Sequence, residues 1–310
     1  MEPMTQMLKP PGLKPGSTIG VCAPASPVRK EFLERGLEEL HHHGFQTRLS
    51  RGLYSQARYT AGNAQTRVSD LVELWEEPGV DGIICARGGY GSLDLLERLD
   101  VEIFRKNPKV LVGSSDVTAL LCFLVAKAGT VCFHGPMVAQ QIARGNEAYH
   151  PASLVGLLQS SESWEGLSSV RLRVLHKGSA EGMLVGGCLS LITALVGTPF
   201  LPSFDGAILF LEDTNVRPYQ IDRMLKQLRL AGCLDGVRGL VFGEMPNCQQ
   251  HPDQGYRTDE LLGDLTADWG VPVMFGFPSG HTVTPTWTLP FGVWARIEAS
   301  GLRLLEGAVT

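Results

Sequence analysis

The stretch Lys109-Val110-Leu111-Val112-Gly113-Ser114-Ser115-Asp116-Val117-Thr118-Ala119-Leu120-Leu121 decides how the chain is read. Val110 to Val112 form a short apolar, β-branched run that stops at Gly113. A polar triplet follows, then an apolar segment of helical length reaching Gly129. That order spells buried strand, sharp turn and helix start. A serine in such a turn has its Oγ pushed clear of the sheet, close to the free N–H groups and positive dipole end of a helix N-terminus. A nucleophilic hydroxyl needs that setting, because the oxyanion formed on attack requires donors already in place. Ser114, Ser115 and Asp116 are equally the residue types that simply cap helices.

Outward from this stretch, the first half alternates strand and helix signals. Thr18 to Cys22 reads as a strand; Phe32, Leu33, Leu37 and Leu40 line one helix face that Gly44 stops; Phe45 to Leu49 reads as a second strand. Val68, Leu71, Val72 and Trp75 recur at i, i+3, i+4 and i+7 ahead of a Pro78-Gly79 break. Gly82 to Ala86 is a buried strand followed by a glycine-rich turn and a short helix, and Val131 to Phe133 continues the series. Alternation of this kind predicts a parallel sheet flanked by helices. From about Asn146 to Gly166 the pattern dissolves around one short helix. Beyond it, short strands are expected at Val170–Leu175, Met183–Val185, Ala207–Leu211, Leu240–Gly243 and Pro272–Gly276. They are accompanied by a helix through Ile221, Met224, Leu225 and Leu228, another near Asp259–Trp269, and a terminal hairpin around Ser300-Gly301. The expected fold class is α/β: an N-terminal Rossmann/flavodoxin-like domain (1–150), a linker (151–168) and a smaller strand-rich C-terminal domain (169–310).

Composition narrows the function classes. With 310 residues the chain can bury a sizeable core, and 44% hydrophobic with 19% charged residues is ordinary for a globular protein. A net charge of -5 without a Lys/Arg cluster speaks against nucleic acid. No run approaches membrane-spanning length, and Met1 to Gly16 lacks a signal-peptide core, so a cytoplasmic location is expected. The seven cysteines are scattered without a C-x-x-C, which suits reduced core thiols rather than a disulfide framework or zinc site. His41, His42 and His43 end a helical pattern before Gly44, a C-terminal position that suits them structurally better than as metal ligands.

Three further segments carry chemistry. Arg87-Gly88-Gly89-Tyr90-Gly91 follows a strand, at the sheet edge where open α/β folds place ligands. It lacks the third glycine of G-x-G-x-x-G and the pattern of a P-loop, so a nucleotide role is disfavoured and a plain turn remains open. Glu212 and Asp213 end the apolar run Leu209-Phe210-Leu211, where a carboxylate caps a turn or orients a histidine. His281 lies in the loop Phe277-Pro278-Ser279-Gly280-His281-Thr282 and is its one side chain titrating near neutrality.

Taken together, Gly113-Ser114-Ser115-Asp116, the Arg87–Gly91 turn, Glu212 with Tyr219-Gln220-Ile221-Asp222-Arg223-Met224-Leu225 following, and Gly280-His281 with Leu289-Pro290-Phe291-Gly292 downstream resemble the LD-carboxypeptidases. These are serine peptidases that include murein tetrapeptide carboxypeptidase and the microcin C immunity peptidases. The resemblance runs from about Leu13 to Leu304. It implies Ser115 as nucleophile, His281 as general base, Glu212 as its orienting carboxylate, and oxyanion donors from the backbone near Asp116, Gly88 and Gly89. It implies no metal or organic cofactor, a small muropeptide tetrapeptide substrate, and a homodimer. A carboxypeptidase must also hold a free carboxylate, for which Arg87 and Arg217 are candidates. Two positions depart from the family pattern: Cys188 after Gly186-Gly187, and Thr286 before Trp287, each where asparagine is usual. A peptidyl-nucleotide immunity peptidase and a non-catalytic two-domain binding protein are the alternatives.

Overall fold

The computed structural model describes residues 7–165, 167, 170, 172–249 and 255–310. Positions 166, 168, 169 and 171, in the expected linker and at the start of the strand expected from Val170, lie outside the described residues, as do residues 1–6 of the expected N-terminal domain.

In the first half the alternation produces β1 (Thr18–Val21), α1 (Lys30–His42), β2 (Gln46–Leu49), α2 (Ala64–Glu76), β3 (Gly82–Ile84), α3 (Val101–Lys106), β4 (Val110–Gly113), α4 (Thr118–Phe123) and β5 (Cys132–His134). The apolar strands β3, β4 and β5 are buried throughout, as parallel strands covered on both faces should be. The segment expected as one helix to Gly129 starts with a 3₁₀ turn at Ser115–Val117, runs through α4, and ends in a π turn at Leu124–Ala128 that Gly129 closes in the left-handed conformation. The short helix expected after the glycine turn is 3₁₀, over Ser92–Arg98.

The second half carries α5 (Pro151–Gln159), β6 (Arg173–His176), β7 (Ala180–Cys188), α6 (Leu189–Ala194), β8 (Ala207–Glu212), α7 (Pro218–Leu230), β9 (Gly239–Gly243), α8 (Thr258–Leu265), β10 (Val273–Phe277), β11 (Leu289–Phe291), β12 (Val293–Glu298) and β13 (Gly301–Leu304). The first sheet has the order β2-β1-β3-β4-β5-β11, a flavodoxin-like arrangement of five parallel strands. Its sixth strand, β11, is antiparallel and comes from the second half of the chain. The second sheet has the order β13-β12-β7-β8-β9-β10-β6, with β7 to β10 parallel and antiparallel neighbours outside them. Strands β7 and β8 therefore end at an edge built by the same rule as the first sheet's.

Two details lock the halves together. The Cys188 N–H at the end of β7 donates to Thr118 Oγ1 of α4 at 3.0 Å. A Cβ on Gly187 would lie 2.5 Å from the Thr118 methyl, so the approach is backbone against side chain. The carboxyl ends of β4 and of β7–β8 thus face one another, which is where the site is assembled.

Candidate active site

Ser115 sits immediately past β4, with φ of +59°. A non-glycine residue in that region is strained, and such strain persists where the surroundings over-determine it. Here the surroundings are hydrogen bonds. Asp116 turns back into the protein, and its buried carboxylate accepts from the Ser92 N–H (2.8 Å) and Oγ (2.6 Å). That tie joins the turn after β4 to the glycine loop after β3. Arg67, also buried, donates to Pro24 O (2.8 Å), to Gly91 O (2.6 Å) and to Asp94 (3.0 Å), bracing the loops after β1 and β3. Ser115 itself is half-buried, and its hydroxyl makes no hydrogen bond among the described residues.

Gly88 lies beside that hydroxyl. A Cβ at Gly88 would stand 3.0 Å from Ser115 Cβ and 3.2 Å from its Oγ, so a side chain there would require Ser115 to give by a few tenths of an ångström. Arg87 is half-buried and donates to Pro27 O at 3.1 Å. Arg217 caps α7, its N–H donating to Gln220 Oε1 at 2.7 Å; its side chain is exposed and, among the described residues, makes no hydrogen bond or ion pair with Ser115, Glu212 or His281.

In the second half of the chain, the fully buried Glu212 ends β8. Its Oε2 accepts from both the main-chain N–H (2.9 Å) and Nδ1 (2.8 Å) of His281. With Nδ1 donating, Nε2 is left free to act as a base. Burial alone would raise the Glu212 pKa, but the attraction and hydrogen bond of His281, with a contribution from His134, outweigh it and hold the carboxyl down at about 2. Burial likewise would lower the His281 pKa; the facing carboxylate wins and keeps it above the ordinary value. Asp213, the other carboxylate of the pair, behaves differently. It accepts from Ser190 N–H (2.8 Å) and Oγ (2.6 Å), holding the turn into α6, and its pKa is raised by burial. It is Glu212, not Asp213, that meets the histidine.

The histidine loop is anchored at several points. The Gly280 N–H donates to Thr286 Oγ1 (3.0 Å), and Val283 N–H donates to Glu244 Oε2 (2.6 Å), with Thr284 on the same carboxylate. Gly280 has φ of +83°, and a Cβ there would fall 2.5 Å from the Glu212 carboxyl carbon. The departure at Thr286 thus has a structural task; the tie at position 188 is made by the main chain and does not explain the cysteine there.

The site also contains a residue that the sequence reading passed over. His134 ends β5, fully buried, with Nδ1 2.9 Å from Ser279 Oγ and Nε2 3.7 Å from Glu212 Oε1. The latter is too long for a hydrogen bond. His134 stacks on Phe291 at 5.5 Å and packs against Phe210. It is the register partner of Gly113 on β4, and Ser115 follows Gly113 by two residues. A chain of contacts therefore leads from the serine turn through β5 to Glu212 and His281. The signal was available: His134, like Ser114, is a polar residue following an apolar parallel strand, and Gly135 comes next as a turn.

Residues 19–135 match the model of the LD-carboxypeptidase N-terminal domain, and residues 181–297 match that of the C-terminal domain. The chain belongs to the LD-carboxypeptidase family. Among LD-carboxypeptidases, the probable murein peptide carboxypeptidase of Bacillus subtilis (strain 168) is 37% identical to this chain, covering 97% of it and 95% of the relative. The muramoyltetrapeptide carboxypeptidase of Oxalobacter formigenes superposes with a TM-score of 0.81 at 31% identity, over 93% of this chain and 98% of the other. The microcin C7 self-immunity protein MccF in its apo state superposes with a TM-score of 0.86 at 26% identity, over 98% of this chain and 100% of the other. The self-immunity protein of Escherichia coli is 29% identical over 91% of both chains. The alternative of a binding protein without catalytic activity loses its footing with this membership.

His41 and His43, at the end of α1, bond to Thr47 Oγ1 (2.9 Å) and the Tyr149 hydroxyl (2.7 Å). All seven cysteines are free thiols, six of them buried. Among the described residues no helix is long and apolar enough to cross a membrane.

Proposed function

We propose that this LD-carboxypeptidase is a cytoplasmic serine enzyme that removes the terminal D-alanine from murein tetrapeptides, with Ser115, His281 and Glu212 as its triad. The observation that carries the reading is the Nδ1–H of His281 on the buried Glu212 carboxylate at 2.8 Å, together with Ser115 held at a positive φ after β4. Two relatives bear murein peptide or muramoyltetrapeptide carboxypeptidase names.

In this mechanism His281 Nε2 takes the Ser115 proton as Oγ attacks the carbonyl carbon of the L,D-peptide bond. The resulting oxyanion is met by backbone N–H groups at Asp116 and in the Gly88-Gly89 turn. His281 then gives its proton to the departing amine of D-alanine, and a water activated by the same imidazole hydrolyses the acyl-enzyme. Glu212 stays ionised throughout, fixing the tautomer and stabilising the imidazolium. Arg87, next to Gly88, is the stronger of the two candidates for the terminal carboxylate; Arg217 has only its exposed position at the start of α7 in its favour. A closed pocket behind that carboxylate would refuse a pentapeptide, since an extra residue leaves the buried cation unpaired, costing ~1–3 kcal/mol. The reading extends to a homodimer, which light scattering on the purified protein would check.

Free D-alanine measured after incubation with matched tetrapeptide, pentapeptide and C-terminally amidated tetrapeptide tests the assignment: release from the first alone is expected. The superposition on MccF favours one other reading, hydrolysis of a peptidyl-nucleotide amide. Equal rates on all three murein substrates, together with turnover of an aminoacyl sulfamoyl nucleoside, would select it.

A further inference from the structure

Three guanidinium groups line one open cavity of about 570 Å³ beside the glycine loop: Arg29, Arg87 and Arg144, accompanied by Phe32, Gln140 and Gln141. Arg29 precedes the first residue of α1, Arg87 follows β3, and Arg144 belongs to the turn after β5. The chain returns there because the N–H groups of Val138 and Ala139 donate to Cys85 O (3.1 Å) and Ala86 O (2.8 Å). The cavity therefore lies over the carboxyl end of β3, at the β1/β3 point where a sheet of this strand order places ligands.

The charges in it are unbalanced. Among the described residues, none of the three arginines has a carboxylate within salt-bridge distance, and Arg87 Nε is buried without a hydrogen-bond partner. Arg35, which does not line the cavity, lies 4.5 Å over the Phe32 ring. The acid on the same helix turn, Glu31, is exposed and does not line the cavity, and Lys30 pairs with Glu34 at 3.6 Å. The N-terminus of α1, 13 residues long, adds its positive dipole end. Arg29 and Arg144 are exposed and Arg87 is half-buried, so the like charges meet in an open concavity, where they repel one another and raise the local concentration of an anion.

We infer that this cavity is a second subsite, separate from the triad, for a polyanionic oxyanion group of the diphosphate class carried by the substrate. One carboxylate would satisfy one arginine in a bidentate pair; three arginines around one space suit a group offering several charged oxygens. Arg87 connects the two places, because Gly88 stands against Ser115 Oγ. A substrate whose peptide end reaches Ser115 could thus rest its anionic end among the arginines. The identity of that carrier as a murein peptide rests on the function proposed above; the anion site does not.

Calorimetric titration with inorganic pyrophosphate separates the two. The native protein should bind it with a dissociation constant below millimolar at low salt, weakening as ionic strength rises. The double variant Arg29→Gln/Arg144→Gln should bind at least ten-fold more weakly with an unchanged unfolding midpoint, and Arg29→Lys/Arg144→Lys should recover part of the loss. Acetate at the same concentration, offering a single carboxylate, should not compete. In turnover, a diphosphate-bearing tetrapeptide should show a lower KM than the bare peptide, and the glutamine pair should close that gap. No saturable pyrophosphate binding, binding unaffected by the glutamine pair, or displacement by equimolar acetate would overturn the subsite. Pyrophosphate binding without hydrolysis of any murein peptide would instead leave the subsite standing and overturn its murein carrier.

Discussion

The serine and the histidine of this enzyme are held in opposite ways. Ser115 belongs to one contiguous stretch, in which strand, turn and helix follow within 15 residues and the backbone itself presents the hydroxyl. His281 sits in a loop whose position is set by groups from several segments: Glu212 at the end of β8, Glu244 after β9, Thr286 ahead of β11, and the ring of His134 beside the carboxylate. The first arrangement is local and strained; the second is a convergence of segments, stabilised by burial and charge. The difference teaches that the proposed nucleophile depends on backbone geometry, whereas the proposed acid–base pair depends on a polar network in which each member needs its partners.

Substitutions should separate the two. Ser115→Ala should leave the fold intact and lower kcat by roughly 10³ or more, whereas Ser114→Ala, which alters only the turn's other hydroxyl, should cost less than about ten-fold. Glu212→Gln should follow, lowering kcat by about 10²–10⁴. It should also move the acid limb of the kcat/KM profile to lower pH. The carboxylate favours the imidazolium and holds the His281 pKa above 6.5, so activity that needs the neutral base rises only above that value in the native enzyme. An unshifted limb in the variant would mean that Glu212 does not set the protonation of His281.

A smaller effect concerns stability. The Glu212 pKa is depressed from 4.5 to about 2, so its contribution is present above about 4.5 and is lost as the pH falls through the folded value. The His281 pKa is raised, so its contribution is present below about 6.5 and fades as the pH climbs through the folded value. Urea midpoints of native protein and His281→Ala should therefore diverge most between those limits; curves that run parallel across pH would contradict a charged pair.

Gly280→Ala tests the convergence by crowding. With a Cβ forced against the Glu212 carboxyl at a positive φ, it should destabilise by ~1–3 kcal/mol and depress activity with it. Thr286→Val should be milder, at ~1–2 kcal/mol, since it orphans one buried N–H.

The same contrast explains what could be read from the sequence. Strand-helix alternation and the Gly113–Asp116 turn were legible because each signal is local in the chain, and the flavodoxin-like order of the first sheet agrees with it. The pairing of β11 with β5 was not legible: three residues, Leu289–Phe291, have no periodicity long enough to announce a strand, and their place is fixed by partners some 150 residues away. The strand β7 proved nine residues long, because Gly182, Gly186 and Gly187 break an apolar pattern yet fit where backbones meet closely. Glu212 and His281 became convincing only through the family resemblance, since a strand-end carboxylate and a loop histidine are common alone. His134 carries the local mark of a polar residue closing an apolar strand, but nothing in the sequence points to the carboxylate that tertiary packing brings to it.

The claim that one contiguous turn supplies the nucleophile, and that a distant pair operates it, is tested most directly by catching the acyl-enzyme. Native protein would be acid-quenched within milliseconds of mixing with an ester-linked tetrapeptide analogue, then digested and read by mass spectrometry. The account predicts an adduct of the peptide minus its terminal residue on Ser115, absent in His281→Ala. An adduct on Ser114, or on any residue outside the Gly113–Asp116 turn, would contradict it.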